Sequence, residues 1–280
     1  MAPHRDPEPK PAAPIAQQAF SFALGAFTQR RINRILDLAG HAPRLGWPGP
    51  SDQILAWGNG VSAKRGAWVA AVTGARLLHI EDAFLRSVLP GRSGHAPLGL
   101  FIDPQACHFD ASRPSALEDL LNTQSLECPA LLERSAAAMA RIAKHKLTKY
   151  SSVPRDALCP KPGFVLVIDQ TRGDASIEKG AANAQTFQQM LAAARAEHPT
   201  AHIVIKTHPE TQHGYRAGHF SAEALDDDME LLTHAIAPQD LFAAAHAVYT
   251  VTSQMGFEAI WAGHRPVVFG QPFYAGWGLT

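Results

Sequence analysis

Phe164-Val165-Leu166-Val167-Ile168 is an unbroken apolar run with no polar residue in it. A strand that lacks a polar face is buried on both sides, as in parallel sheets covered by helices. The residues downstream keep that pattern. Thr186 to His198 has helical spacing, His202 to Ile205 is a second apolar strand, and Pro238 to Ala245 is a short helix. Ala247 to Thr250 is a third strand, a helix opens at Thr252-Ser253-Gln254, and Pro266 to Phe269 is a fourth strand. Strands alternating with helices form a parallel sheet with right-handed crossovers. Upstream, Ser151 to Gly163 holds three prolines and a glycine, a composition suited to a domain boundary.

The first half repeats the alternation less cleanly. Ala19 to Leu38 is predicted as a helix, with Phe20, Leu24, Phe27, Ile32, Ile35 and Leu38 near helical spacing. Its Arg30, Arg31 and Arg34 read as a solvated face, with contact to phospholipid or polysaccharide as the alternative. After the Pro/Gly-rich break at Pro43 to Pro50, Ile54 to Trp57 is a short strand. The turn Gly58-Asn59-Gly60 then leads into a helix from Ala63 to Thr73, a geometry that lets backbone approach a ligand. Arg76 to Ile80 and Leu98 to Ile102 are further strands. Ser115 with Glu118 forms a capping-box start for a helix through Leu121, and Pro129 to Lys146 is an alanine-rich helix. The expected fold class is therefore α/β, with two Rossmann-like domains facing a central cleft. Its parts are a disordered leader over residues 1–18, a first domain over 19–155 and a second domain over 156–280. The second domain is expected to lack a terminal helix.

Bulk properties narrow the function classes. The chain has 280 residues, 46% hydrophobic and 18% charged, with zero formal net charge and a pI near 7.3. No global field draws it to nucleic acid, so any anion must be caught by a local site. Cys107, Cys128 and Cys159 show no metal-ligand spacing, and an odd count without a secretory signal suits a cytoplasmic location. No apolar run approaches the ~20 residues of a membrane span.

Chemistry gathers after strands. Ligands of open α/β sheets sit beyond the carboxyl ends of the strands. Three loops of the second half lie there. They carry Gln170, Arg172, Asp174 and Ser176; then Lys206, His208, Pro209 and Glu210; then Thr252, Ser253, Gln254 and Glu258. Lys206 and His208 suit an anionic ligand. Hydroxyls at a helix start, with free N–H groups and the positive dipole end, suit a phosphate. Glu258 is placed to accept hydrogen bonds from ribose hydroxyls. Plain alternatives exist, since Ser253 serves equally as an N-cap and Glu258 as first-turn dipole compensation. In the first half, Glu81-Asp82 ends a strand and Arg86 follows four residues later. Adjacent carboxylates are rarely buried without a partner, so this pair, placed like the Lys206 loop of the other half, reads as a site, with a solvent loop as the alternative. No Gly-rich P-loop and no His/Asp metal cluster is present in the sequence.

Five strings together resemble the KpsC-type bacterial capsule polysaccharide biosynthesis family. They are Glu81-Asp82-x-Phe84-Leu85-Arg86-Ser87, Asp169-Gln170-Thr171-Arg172-Gly173-Asp174-x-Ser176, Lys206-Thr207-His208-Pro209-Glu210, Ser253-x-x-Gly256-Phe257-Glu258-Ala259 and Phe269 to Thr280, FGQPFYAGWGLT. The likeness covers residues 54 to 280. It implies a GT-B fold and a retaining β-Kdo transferase that builds the Kdo linker of a capsular lipid. CMP-β-Kdo would be the donor, no cofactor or metal would be needed, and a covalent sugar–enzyme intermediate would form. Carried over by position, Asp82 would be the nucleophile with Glu81 beside it, and His208-Pro209 would hold CMP. Ser253 and Glu258 would contact its phosphate and ribose, and Arg86 or Arg172 would pair with the Kdo carboxylate. Lys206, Thr252 and Gln254 join the donor set, while Gln170, Asp174 and Asn59 join the cleft. Implied partners are a lipid-linked Kdo acceptor, the inner face of the cytoplasmic membrane, where the enzyme would be peripheral, and capsule assembly and export proteins. No nucleic acid is implied. Ala83 stands where the family pattern has glycine, Pro104 to Phe109 departs from it, and a single transferase module is present. Two other readings compete: a non-catalytic or split module supporting a full-length transferase, and a GT-B enzyme using another nucleotide sugar.

Overall fold

A computed structural model describes residues 17–23, 25–89, 91–151, 153–154 and 157–280. The expected leader therefore lies outside the described residues, except for Gln17 and Gln18, which open a strand. The chain divides into two compact units, Met1–Leu77 and Leu78–Thr280.

In the first unit, β1 (Gln17–Ser21) is followed by α1 (Gly25–Thr28), α2 (Arg30–Leu38), β2 (His41–Arg44), β3 (Gln53–Trp57) and α3 (Val61–Thr73). β1 lies between β2 and β3 and is parallel to both. The helix expected from Ala19 is thus a correction. Ala19, Phe20 and Ser21 are buried strand residues, and only Ile32 and Leu36 of α2 keep the apolar face of the expected helix. Tertiary pairing on both edges overrides the local helical spacing. α3 packs small residues inward, Ala63, Gly66 and Val69, and ends at Gly74 in the left-handed conformation.

β4 (Arg76–Asp82) extends two residues past the expected strand, so Glu81 and Asp82 are ladder residues rather than loop. They pair with Phe101 and Leu100 of β5 (Leu100–Asp103) in antiparallel register. This departs from the expected all-parallel pattern. A parallel return needs a crossover connection, and among the described residues no α-helix lies between these two strands to supply one. α4 (Ala116–Thr123) begins with the expected capping box of Ser115 and Glu118, and α5 (Pro129–Lys144) follows.

The rest of the second unit is the clean α/β part. In order come β6 (Phe164–Ile168), α6 (Ala175–Lys179), α7 (Ala184–Glu197), β7 (Ile203–Lys206) and α8 (Pro209–Gln212). β8 (Met229–Leu232), α9 (Pro238–Ala244), β9 (Ala245–Thr250), α10 (Gln254–Trp261) and β10 (Val267–Val268) complete it. The strands order β10-β9-β6-β7-β8, every pairing parallel. β6 is central and buried at all five positions. Its alternation divides the core: Val165 and Val167 pack with Phe187, Met190 and Ile205, while Phe164, Leu166 and Ile168 pack with Val204, Leu241 and Phe242. Each such side chain contributes about 1.5–3 kcal/mol by leaving water. Because β6, β7 and β9 are adjacent and parallel, the loops after them leave one edge of the sheet.

Candidate functional site

That edge borders a cleft of about 290 Å³, and all of its lining comes from the second unit. Twelve sequence-nominated residues line it: Glu81, Asp82, Gln170, Asp174, Ser176, Lys206, His208, Pro209, Thr252, Ser253, Gln254 and Glu258. Four nominees do not: Glu210, whose Oε2 lies 3.7 Å from Arg216 Nη1, and Arg86, Arg172 and Asn59. Arg86 is buried behind Asp82, donating from Nε to Asp82 Oδ2 at 2.6 Å and from Nη1 to the Ser87 hydroxyl and the His95 carbonyl, both at 2.8 Å. Arg172 is exposed, and Asn59 is an exposed residue of the first unit.

The basic side of the cleft is built after β7. Lys206 is buried, its ammonium donating to the Thr207 carbonyl at 2.8 Å, and no carboxylate among the described residues pairs with it. Burial pulls it down to about 8. His208 caps α8, its Nδ1 accepting the Glu210 N–H at 3.1 Å. That bond requires an unprotonated Nδ1 and leaves Nε2–H as the donor. Burial first, then the charges of Lys149 and Lys206, push His208 down to about 4, so the ring is neutral near pH 7. A desolvated ammonium beside an N–H donor is suited to an anionic oxygen.

After β9, Ser253 caps α10 by accepting the Met255 N–H at 3.2 Å. Thr252 is fixed by Gln170, whose Oε1 accepts the Thr252 N–H at 2.9 Å and whose Nε2 donates to its hydroxyl at 3.0 Å. Gln170 therefore sets the shape of the cleft floor. Gly256 is needed one turn into α10, since a Cβ there would meet the Tyr274 hydroxyl and would lie 2.8 Å from Thr250 Cγ2.

Glu258 is committed to protein. Its Oε2 accepts from the Thr148 hydroxyl at 2.7 Å, its Oε1 from Gln254 Nε2 at 3.2 Å, and its carboxylate also takes the Lys149 N–H. Burial raises its pKa against those bonds. The Lys149 carbonyl in turn accepts the N–H groups of Arg86 and Ser87 at 3.2 and 3.3 Å. The Thr148-Lys149-Tyr150 segment is thus gripped from two motifs and lines the cleft, although no local signal in the sequence marked it. Burial opposes charge on Lys149, but Tyr150, Asp174, Asp82 and Glu81 outweigh it and the net direction is upward. His108 also lines the cleft and was missed. It stands edge-on to Phe84 and Phe273, and burial followed by Lys149 lowers it to about 4.

The carboxylates have three distinct environments. Glu81 is raised to about 7, first by burial and then by the charge of Asp82, with Lys149 opposing. Asp82 has Oδ2 on Arg86 and Oδ1 buried with no hydrogen-bond partner among the described residues. Asp174 caps α6, its Oδ1 accepting the Ser176 N–H and hydroxyl, both at 3.0 Å. Its Oδ2 accepts no hydrogen bond among the described residues. A carboxyl raised to about 7 with two further carboxylates in one cleft is an arrangement suited to acid/base and nucleophile roles.

The two sheets and the cleft at the strand ends define an α/β protein of the GT-B-like class. Residues 142–280 match the family model described as capsule polysaccharide biosynthesis protein. The capsule polysaccharide modification protein LipA of Neisseria meningitidis serogroup B is 36% identical over 236 residues, 82% of this chain and 34% of that protein. The lipopolysaccharide-processing protein LpsZ of Rhizobium meliloti is 36% identical over 209 residues, 73% of this chain and 48% of that protein. The chain thus spans between a third and a half of the length of these relatives. Among solved structures, Thermosulfurimonas dismutans KpsC, beta Kdo 2,4 transferase, superposes with a TM-score of 0.87 at 35% identity, covering 94% of this chain and 83% of that one. The beta Kdo 2,7 transferase of the same organism's KpsC shares the fold, with a TM-score of 0.68 at 24% identity. The chain belongs to the KpsC-type capsule polysaccharide biosynthesis family. No helix among the described residues is long and apolar enough to cross a membrane.

Proposed function

We propose that the protein is a retaining glycosyltransferase that moves Kdo from CMP-β-Kdo to a lipid-linked or Kdo-terminated acceptor in capsule linker synthesis, without a metal. The observation that carries this reading is the cleft itself, where a desolvated lysine, a neutral histidine donor and a serine-capped helix start face separated carboxylates. The chain's 35% identity to the beta Kdo 2,4 transferase of Thermosulfurimonas dismutans KpsC supports the sugar. Lys206, His208, Ser253 and the start of α10 take the CMP phosphate. A carboxylate attacks the anomeric carbon, and the bonding pair of the broken C–O bond leaves with CMP. The acceptor hydroxyl then attacks the glycosyl ester, its proton passes to Glu81, and the carboxylate is released. The work is done at the inner face of the cytoplasmic membrane, beside the capsule assembly and export proteins.

The resemblance gives the nucleophile as Asp82. One observation favours a second reading: Asp82 has Oδ2 bonded to Arg86 and Oδ1 buried, whereas Asp174 in the same cleft accepts at Oδ1 and has Oδ2 uncommitted among the described residues. On that reading Asp174 attacks, and Asp82 with Arg86 holds the charge that raises Glu81. Incubation with CMP-Kdo generated in situ and a synthetic Kdo-glycolipid, read by mass spectrometry, tests the activity. Donor without acceptor should leave a Kdo-sized increment on one peptide, either that holding Glu81 and Asp82 or that holding Asp174. Asp82→Asn or Asp174→Asn, whichever removes the nucleophile, should cost several orders of magnitude in turnover. CMP binding with no product from any Kdo acceptor would return the chain to the non-catalytic reading.

A further inference from the structure

The first unit carries a charge that the whole chain hides. Met1–Leu77 has nine Lys/Arg and four Asp/Glu, a net of +5, while the chain as a whole is neutral. Among its described residues the only acids are Asp37 and Asp52. Within this unit α3 is inverted relative to an ordinary surface helix. Its inward face is Ala63, Gly66 and Val69, whereas its largest apolar residues point out: Val61 is 80% exposed, and Trp68 and Val72 are each 60% exposed. At 100° per residue these three fall within about 40° of one another, with Arg65 and Lys64 as the flanking exposed positions. Trp47, also 60% exposed, stands edge-on to Trp68 with ring centroids 6.2 Å apart.

We propose that this face of α3, with Trp47 beside it, docks the first unit on an anionic bilayer surface. Two adjacent tryptophans with one apolar and one hydrogen-bonding end match the headgroup boundary, where Trp is enriched. Lys64 and Arg65 lie along the flanks of the stripe, so their stems cover its edges while their charges reach phosphate. The net positive charge of the unit supplies the long-range attraction, and the short apolar stripe supplies limited insertion. The association is therefore reversible and salt-sensitive. It does not depend on which reaction the second unit performs.

The test is co-sedimentation of the 280-residue chain with phosphatidylcholine vesicles and with vesicles containing phosphatidylglycerol, at low and high salt. Binding is expected only with phosphatidylglycerol, weakening as salt rises, with tryptophan emission quenched by bromine-labelled acyl chains. Each basic residue near an anionic surface is worth about fivefold, so Lys64→Glu with Arg65→Glu should weaken binding roughly 25-fold or more. Trp47→Ala with Trp68→Ala should abolish the quenching. Thermal unfolding unchanged from wild type checks that each variant is folded, and the two sets of substitutions affect different interactions. Absence of vesicle binding, or equal binding by both variants, would overturn the proposal. So would self-association of the wild type that the tryptophan variant loses, which would give the face to a second copy.

Discussion

Replacing Glu81 with glutamine should move stability and turnover in opposite directions, and both effects should depend on pH. The carboxyl stands at about 7 rather than an ordinary 4.5, through burial and then Asp82. Between those two values the folded chain holds a proton that the unfolded chain has released. Glu81 therefore contributes stability that is fully present below about pH 4.5 and is lost as pH rises through 7. The complete linkage is about 3 kcal/mol at pH 8. Glutamine keeps the shape and is neutral throughout, so the variant should match wild type near pH 4.5 and exceed it by up to about 3 kcal/mol at pH 8. Denaturant titrations at the two pH values measure the difference directly. If Glu81 takes the acceptor proton, wild-type turnover should rise with pH around 7, and the variant should lose that limb together with roughly 10²–10⁴ in rate. A stability difference that is the same at both pH values would refute the account of Glu81, whatever the rate does.

Two further outcomes rest on the packing and on the basic side of the cleft. Gly256→Ala would stabilise an open helix by up to about 1 kcal/mol, but here the methyl meets Tyr274 and Thr250, so a loss of about 1–3 kcal/mol is expected in thermal or denaturant unfolding. His208→Ala should weaken CMP binding by about 1.5–3 kcal/mol in titration calorimetry, with chelator making no difference to either protein.

The parts of the fold that were legible are those whose local pattern and tertiary role agree. β6 could be read because five apolar residues in a row have one explanation, and Ser115 with Glu118 because a capping box is wholly local. β1 could not be read, because Ala19, Phe20 and Ser21 share their spacing with the residues of α2, and only the strands on either side make them a strand. β8, Met229-Glu230-Leu231-Leu232, is an edge strand with a charge in it and no alternation to reveal it. In the site, the loops after β6, β7 and β9 were legible because topology fixes where strand ends lie. Lys149 was not, since the groups that hold it are remote: Thr148 meets Glu258 across 110 positions of sequence, and the Lys149 carbonyl is taken by Arg86 and Ser87.

This long-range grip also changes what the motifs mean. The terminal FGQPFYAGWGLT string looks like chemistry because it is so specific, yet its contacts are architectural. The Tyr274 hydroxyl donates to the Ser253 carbonyl at 2.7 Å, and the Gln271 N–H is taken by Gly180. Phe273 stacks on Phe84 with centroids 4.9 Å apart. Gln254, beside them, donates to the Phe84 carbonyl at 2.7 Å. Together these contacts join the string to the start of α10, to Phe84 just after β4 and to the loop after α6. The string therefore fixes the distance between the serine-capped helix start and the Glu81–Asp82 pair, and a close-packed aromatic joint tolerates few substitutions. Glu258 belongs to the same joint: its carboxylate positions Lys149, and through Lys149 it bears on the charge balance of the carboxylates across the cleft.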